Sequence, residues 1–410
     1  MYKLGNKQGW EVEMYALDGI KVLDLSRVLA GPWSTQTLAD LGADVWKIEA
    51  PDSGDDTRQW LPPEIGGEST YFLCCNRSKR SIAIDFRTPE GQQILRDLAC
   101  QADVVVENFR LGGLERFGLD YASLSGLNPR LVYCSISGFG RTGPRADEAG
   151  YDFAIQAESG LMSITGEVDG APMKVGVAIA DIVTGMNAVQ AILAALFVRE
   201  RTGKGQLIDL ALLDGAVAVL ANVGSAALVT GKAPRRFGNA HATVAPYQVF
   251  SGADGDFALA VGNDRQFALL CNKVLSRPDL AVDPRFTTNK GRGTNIKALA
   301  ASLATSFATY QVAELVAALR EAGIPVGNIR SVPEVLNSAE VAARAMVVEV
   351  PDAVHGSLKL VGSPLKLSDT PVRAAVAPPR LGEHTAEILT QVLGFSEDRI
   401  QALKASGAIA

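Results

Sequence analysis

Asp181 is a single acid in an apolar run, Val177-Ala178-Ile179-Ala180-Asp181-Ile182. The spacing Ile182, Met186, Val189, Leu193, Leu196 that follows is helical. An acid in that place has two readings. It is a plain N-cap whose carboxylate accepts backbone N–H bonds. Or it is a nucleophile: a helix N-terminus favours the ionised form, and an apolar pocket shields an acyl intermediate from water. The local sequence leaves both open.

Basic residues gather near other expected strand ends. Arg77, Lys79 and Arg80 precede one strand and Arg87 follows it, while Arg110 and Arg116 flank Gly112-Gly113 after another. Together they suit a phosphorylated ligand; singly, each reads equally well as solvated surface. His241, in Gly238-Asn239-Ala240-His241, is a lone loop histidine. Gly138-Phe139-Gly140-Arg141-Thr142-Gly143 matches GxGxxG, but Pro144, Arg145, Asp147 and Glu148 follow where a dinucleotide fingerprint requires an apolar helix. It reads as a glycine-rich loop. Gly203-Lys204-Gly205 lacks the spacing and Ser/Thr of a P-loop.

The elements that must position these residues alternate. Ile20–Leu25 is an apolar run typical of a buried parallel strand, and Val45–Ile48, Ser81–Phe86, Asp103–Val106, Leu131–Ile136 and Gln206–Leu210 read as further strands. Helices are expected over Trp33–Leu41, from Thr88-Pro89-Glu90 to Cys100, and over 182–197. This rhythm predicts an α/β fold with a parallel sheet covered on both faces. The rhythm changes after 215. Gly215–Gly231 reads as one buried helix, and Asp254-Gly255-Asp256 as a hairpin turn between Tyr247–Phe250 and Phe257–Val261. Helices follow at 264–275, 295–306 and 311–322, then strands from about 345 and a helix at 383–394. The expected domains are 1–215, a linker helix 216–234, a smaller α+β domain 235–330, and 331–410 rejoining the first.

Composition narrows the function. The chain has 410 residues, 47% hydrophobic and 20% charged, with a net charge of −6, which disfavours nucleic-acid binding. Five cysteines without a CxxC pair and only three histidines argue against a metal site and for a reducing cytoplasm. Met1–Asp18 has neither a signal-peptide core nor an Arg-rich transit pattern. No membrane association is expected.

Several blocks then resemble one family in order. They are Asp24-Leu25-Ser26-Arg27-Val28-Leu29-Ala30-Gly31-Pro32, Leu41–Glu49, Asn76–Asp85, Val106-Glu107-Asn108-Phe109, Gly150-Tyr151-Asp152 and Thr202–Gln206. Together they are similar to the class III (CaiB/BaiF) CoA-transferases, and looser likeness runs on to Leu381-Gly382-Glu383-His384. The resemblance implies a Rossmann-like large domain built from both chain ends, a small inserted domain and an interlocked homodimer. It places the catalytic aspartate on Asp181. It places CoA contacts on Leu29, Ala30, Ile84, Asp85, Arg87, Asn108, Phe109, Arg110, Arg116, Tyr151 and Asp152, and a substrate loop on Gly238, Asn239, Ala240 and His241. Coenzyme A and acyl-CoA then act as substrates, with no permanently bound cofactor and no metal.

Within the family the likeness is greatest to the succinate–hydroxymethylglutarate CoA-transferase branch. It rests on Gly54–Arg58, Glu68–Tyr71, Tyr133–Ile136, Arg236–His241 and Pro246-Tyr247-Gln248. It implies succinyl-CoA and a short dicarboxylate such as glutarate, itaconate or mesaconate. Formyl-CoA transferases carry glutamine at the position of Leu29 and a CoA-contacting arginine at that of Ala50; these departures argue against formate and oxalate. A racemase of the same family needs a second acid/base, and related racemases carry histidine where this chain has Tyr151. A non-catalytic CoA-binding subunit and a nicotinamide oxidoreductase are the other rivals.

Overall fold

The computed structural model describes residues 14–410. The reading of the N-terminal stretch as neither signal nor transit peptide falls mainly on residues outside these. The chain divides into two compact units. The first comprises residues up to Leu161, Val175–Val229 and Ala339–Ala410; the second comprises Met162–Lys174 and Thr230–Ser338. The second unit thus runs past the expected 330 and takes in a short segment placed by sequence in the large domain.

The first unit is built on a parallel six-stranded sheet. Its strands are β1 (Lys21–Asp24), β2 (Asp44–Glu49), β3 (Arg80–Ala83), β4 (Val104–Glu107), β5 (Val132–Ser137) and β6 (Leu207–Ala211). Their spatial order is β3-β2-β1-β4-β5-β6, the Rossmann order with its switch between β1 and β4. Register is set by alternation. Val22, Val45, Val104 and Val106 point to one face, against helices Ala30–Asp40 and Ile179–Thr202. Leu23, Trp46, Ile82 and Val105 point to the other, against helices Pro89–Gln101 and Thr385–Leu393. Both faces are buried over β1 to β5, which is why those strands carry apolar runs, whereas the edge strand β6 is largely exposed, with only Ala211 buried.

Thr88 caps the 89–101 helix through Gly91 N–H, with Pro89 in its first turn. The helix expected from Trp33 starts earlier: Ala30-Gly31-Pro32 forms the first turn of the 30–40 helix, where proline loses no hydrogen bond. The 179–202 helix is long and apolar enough to span a bilayer by length and composition, but Ala188, Val189, Ile192 and Leu196 lie in the core against the sheet. The run 215–231 is not one buried helix. It forms two, Leu212–Ala218 and Ala221–Thr230, separated where Ala221 takes φ +44, and the second buries no residue.

In the second unit, a hairpin of β7 (Tyr247–Ser251) and β8 (Asp256–Ala260) pairs with β9 (Val326–Asn328). Helices Ile296–Phe307 and Val312–Glu321 close its core through Leu299, Leu303, Phe307, Leu315 and Leu319. The helix expected at 264–275 is α-helical over Asp264–Leu269 and continues as a π-turn to Val274.

Candidate active site

The carboxyl ends of β1, β3, β4 and β5 open into a cleft of about 650 Å³. Open α/β sheets bind ligands at such a switch point, because chain leaving the two central strands parts in opposite directions. The walls follow strand by strand. The loop after β1 supplies Arg27, Val28, Leu29 and Ala30; chain after β3 supplies Ile84, Asp85, Phe86 and Arg87. The loop after β4 adds Asn108, Phe109, Arg110 and Arg116, and beyond β5 come Gly138 and Tyr151. Asp181 closes the inner wall.

Asp181 is the third residue of the 179–202 helix, not its N-cap. The cap comes from elsewhere. Asp152, opening the helix Asp152–Glu158, accepts the N–H of Ala180 at 2.8 Å and that of Asp181 at 3.5 Å. These helix-start donors are therefore occupied and not free to hold an oxyanion. The Asp181 carboxylate itself accepts no hydrogen bond from the described residues. Burial, and then the nearby Asp152 charge, push it up from 3.8 to about 7. Sequence reasoning expected the helix end to favour the ionised form; desolvation and a like charge outweigh the dipole here.

The predicted residues take distinct roles. Asn108 clasps the switch point: its side chain accepts Arg27 N–H at 2.9 Å and donates to Arg27 carbonyl at 2.7 Å. Arg87 is bidentate to Asp85 at 2.8 Å at the cleft lip. Arg110 and Arg116 have no carboxylate partner among the described residues, leaving two cations for an anionic ligand. Phe109 packs edge-on to Phe86, with the Arg27 guanidinium 5.2 Å from its centroid. Asp152 sits behind the wall as the helix cap, not in it.

The 238–241 loop belongs to the second unit. There His241 Nδ1 accepts the N–H groups of Thr243 and Val244 at 3.1 and 3.2 Å, and the ring tilts against Tyr247. That nitrogen shapes its own loop.

The basic cluster before β3 is not a ligand site. Arg77 is buried on Asp40, Lys79 is buried on Asp24, and Arg80 pairs with Asp44 and Glu387. Gly138–Gly143 follows β5 without opening a helix, as Pro144 indicated. Sequence reasoning missed Arg27, Phe86 and Phe117 in the wall, and Tyr71, whose phenol is pushed up by burial and then by the Asp181 charge. Arg27 had a signal, standing two residues from Leu29 in the first motif. Tyr71 lay within a quoted block but carried no spacing that linked it to Asp181.

The profile of CoA-transferase family III matches residues 17–385. The succinate–glutarate CoA-transferase of Agrobacterium fabrum is 48% identical over 92% of this chain and 95% of its own. The acetyl-CoA:oxalate CoA-transferase of Acetobacter aceti is 41% identical over 90% and 94%. The crystal structure of a CAIB/BAIF family protein from Brucella suis superposes with a TM-score of 0.83 at 48% identity, over 92% of this chain and 99% of that one. The chain belongs to CoA-transferase family III and is an enzyme with CoA-transferase activity.

Proposed function

We propose that the enzyme transfers coenzyme A from succinyl-CoA to a dicarboxylic acid longer than oxalate, such as glutarate, itaconate or mesaconate, through an aspartyl thioester on Asp181. The observation that carries this reading is a buried carboxyl that, among the described residues, has no hydrogen-bond donor, set in a cleft also lined by Arg110 and Arg116, which have no carboxylate partner among those residues. A carboxylate stripped of solvent and donors is a strong nucleophile. Its oxygen attacks the thioester carbonyl, the C–S bond breaks, and CoA thiolate leaves a mixed anhydride. The thiolate then attacks the Asp181 carbonyl, releasing the donor acid and leaving an aspartyl-CoA thioester. The acceptor carboxylate reverses both steps. Thioester energy is conserved throughout, so the exchange is ATP-independent.

The acceptor reading rests on similarity to the succinate–glutarate enzyme and on Leu29 and Ala50. An oxalate enzyme at 41% identity makes oxalate the necessary comparison. Assembly is part of the proposal: two copies form the active enzyme. The support is apolar surface that one chain leaves uncovered. On the 221–230 helix Leu228 is 88% and Val229 86% exposed, and Phe197 on the 179–202 helix is 60% exposed.

The test is mass spectrometry of the protein mixed with succinyl-CoA and a panel of glutarate, itaconate, mesaconate and oxalate. A new dicarboxyl-CoA without ATP, and a CoA adduct on the Asp181 peptide, are expected. Exchange with oxalate alone would overturn the acceptor assignment, and the absence of any adduct would overturn the role of Asp181.

A further inference from the structure

Four buried charges lie beneath the loop that forms the first cleft wall. The side chains of Lys47, Asp55, Lys79 and Asp24 are all 0% exposed. Lys47 Nζ donates to Asp55 at 2.8 Å and to the Ser26 carbonyl at 3.1 Å. Lys79 Nζ donates to Asp24 at 3.0 Å, to Asn76 Oδ1 at 2.9 Å and to the Pro32 carbonyl at 2.9 Å. Asp24 accepts both the N–H and the hydroxyl of Ser26, and Asp55 accepts the Val28 N–H at 3.3 Å. The bonds therefore hold the loop at its start, its middle and its end.

The loop needs holding. Val28 is β-branched yet sits at φ +71, a conformation that persists only where the surroundings over-determine it. Its neighbours Arg27, Leu29 and Ala30 line the cleft. The Ala30 carbonyl also lies against Gly185, one turn along the helix from Asp181, so close that a Cβ there would stand 2.7 Å away. The loop is thus the mechanical link between cleft wall and nucleophile. Stability alone is a weak reason for the charges, since well-packed apolar residues commonly replace a buried ion pair at no loss.

We propose that Lys47–Asp55 and Lys79–Asp24 are positioning residues for the transfer. They fix the 26–32 loop in its strained form, and through it the placement of the acyl-CoA thioester relative to Asp181. None of the four touches substrate. The inference rests on the reading that this loop is a wall of the acyl-CoA site.

The test pairs steady-state kinetics with thermal melts. In the double variant Lys47→Met/Asp55→Leu the net charge is unchanged, Asp24 keeps Lys79 and Glu49 keeps Arg58, while the Ser26 and Val28 tethers are lost together with the Asp55 cap on Thr57. The acyl-CoA KM is expected to rise about ten-fold with the acceptor KM unmoved. A folded double variant with the wild-type acyl-CoA KM overturns the proposal. Should it not fold, Ser26→Ala decides, removing only the hydroxyl that Asp24 accepts: a rise of about three-fold in acyl-CoA KM is expected, and none overturns the proposal. Leu29→Trp, which fills the cleft, tests the underlying reading separately. If it leaves acyl-CoA affinity intact, the loop is not the CoA wall; if affinity falls there but not in the pair variant, positioning alone is wrong.

Discussion

Two sets of buried carboxylates in the first unit have been treated in opposite ways. Burial works against charge on Asp24, Glu49 and Asp55. It is outweighed for Asp24 by Lys79 and Lys47, for Glu49 by Arg58 and Lys47, and for Asp55 by Lys47 and Thr57. All three are held below their ordinary values, Asp55 at about 2. Asp181 has no donor among the described residues and an anionic neighbour in Asp152, and it rises to about 7. Burial is common to both. Among these four, close pairing with a lysine or arginine separates the structural anions from the reactive carboxyl.

The sharpest way to break this comparison is Asp181→Asn. Turnover should fall by at least about a thousand-fold. The same variant should be more stable than the wild type at neutral pH. A carboxyl with a raised folded-state value contributes stability that is fully present below its unfolded value and lost as pH rises through about 7. Asparagine removes that loss, with an upper bound of about 4 kcal/mol from the shift between 3.8 and about 7. Denaturant melts at pH 5 and 8 check it: a variant no more stable than wild type at pH 8 would mean that Asp181 is compensated after all.

Lys79→Met should act in the other direction. It strands Asp24 with one cation fewer and should cost about 3–5 kcal/mol at pH 7. A loss below about 1 kcal/mol, by the same melts, would put the cluster in the class of surface pairs.

The smallest effect sharpens the cause of the Asp181 shift. In the wild type, kcat/KM should rise with pH up to about 7 as the nucleophile ionises. Asp152→Asn keeps a capping oxygen but removes the like charge, and the limb should move down by about half to one pH unit. A limb that stays in place assigns the whole shift to desolvation.

Much of this was legible in the residues. Five parallel strands buried on both faces leave apolar runs such as Val104-Val105-Val106, and Thr88-Pro89 announces a helix start, so the sheet and several of the longer helices could be read. Motif order brought out the strand-end loops, and with them part of the cleft wall. What was illegible is long-range partnership. Nothing near Lys79 says that Asp24, 55 residues away, will bury it. Nothing near Asp181 says that its helix will be capped from 28 residues upstream, so a local cap looked like the plain reading. The break at Ala221 was hidden for a different reason: alanine at positive φ carries none of the usual punctuation.

The return of the chain to the first unit has a consequence for synthesis. Chain after β3 supplies Ile84 and Asp85 to the cleft, and residues 408–410 close along it: Asp85 N–H donates to Ala408 carbonyl, Ile84 bridges Ile409, and Ala410 N–H donates to Ala83 carbonyl. Thr385 reaches the same strand across 302 residues. While the ribosome is still making the second unit, that strand lacks these partners. Its sheet edge is exposed apolar surface awaiting chain not yet made, and contacts of such separation form late. The cleft is therefore among the last parts of the molecule to exist, and a nascent chain stalled in the second unit would present an unfinished edge to chaperones instead of a domain able to bind coenzyme A.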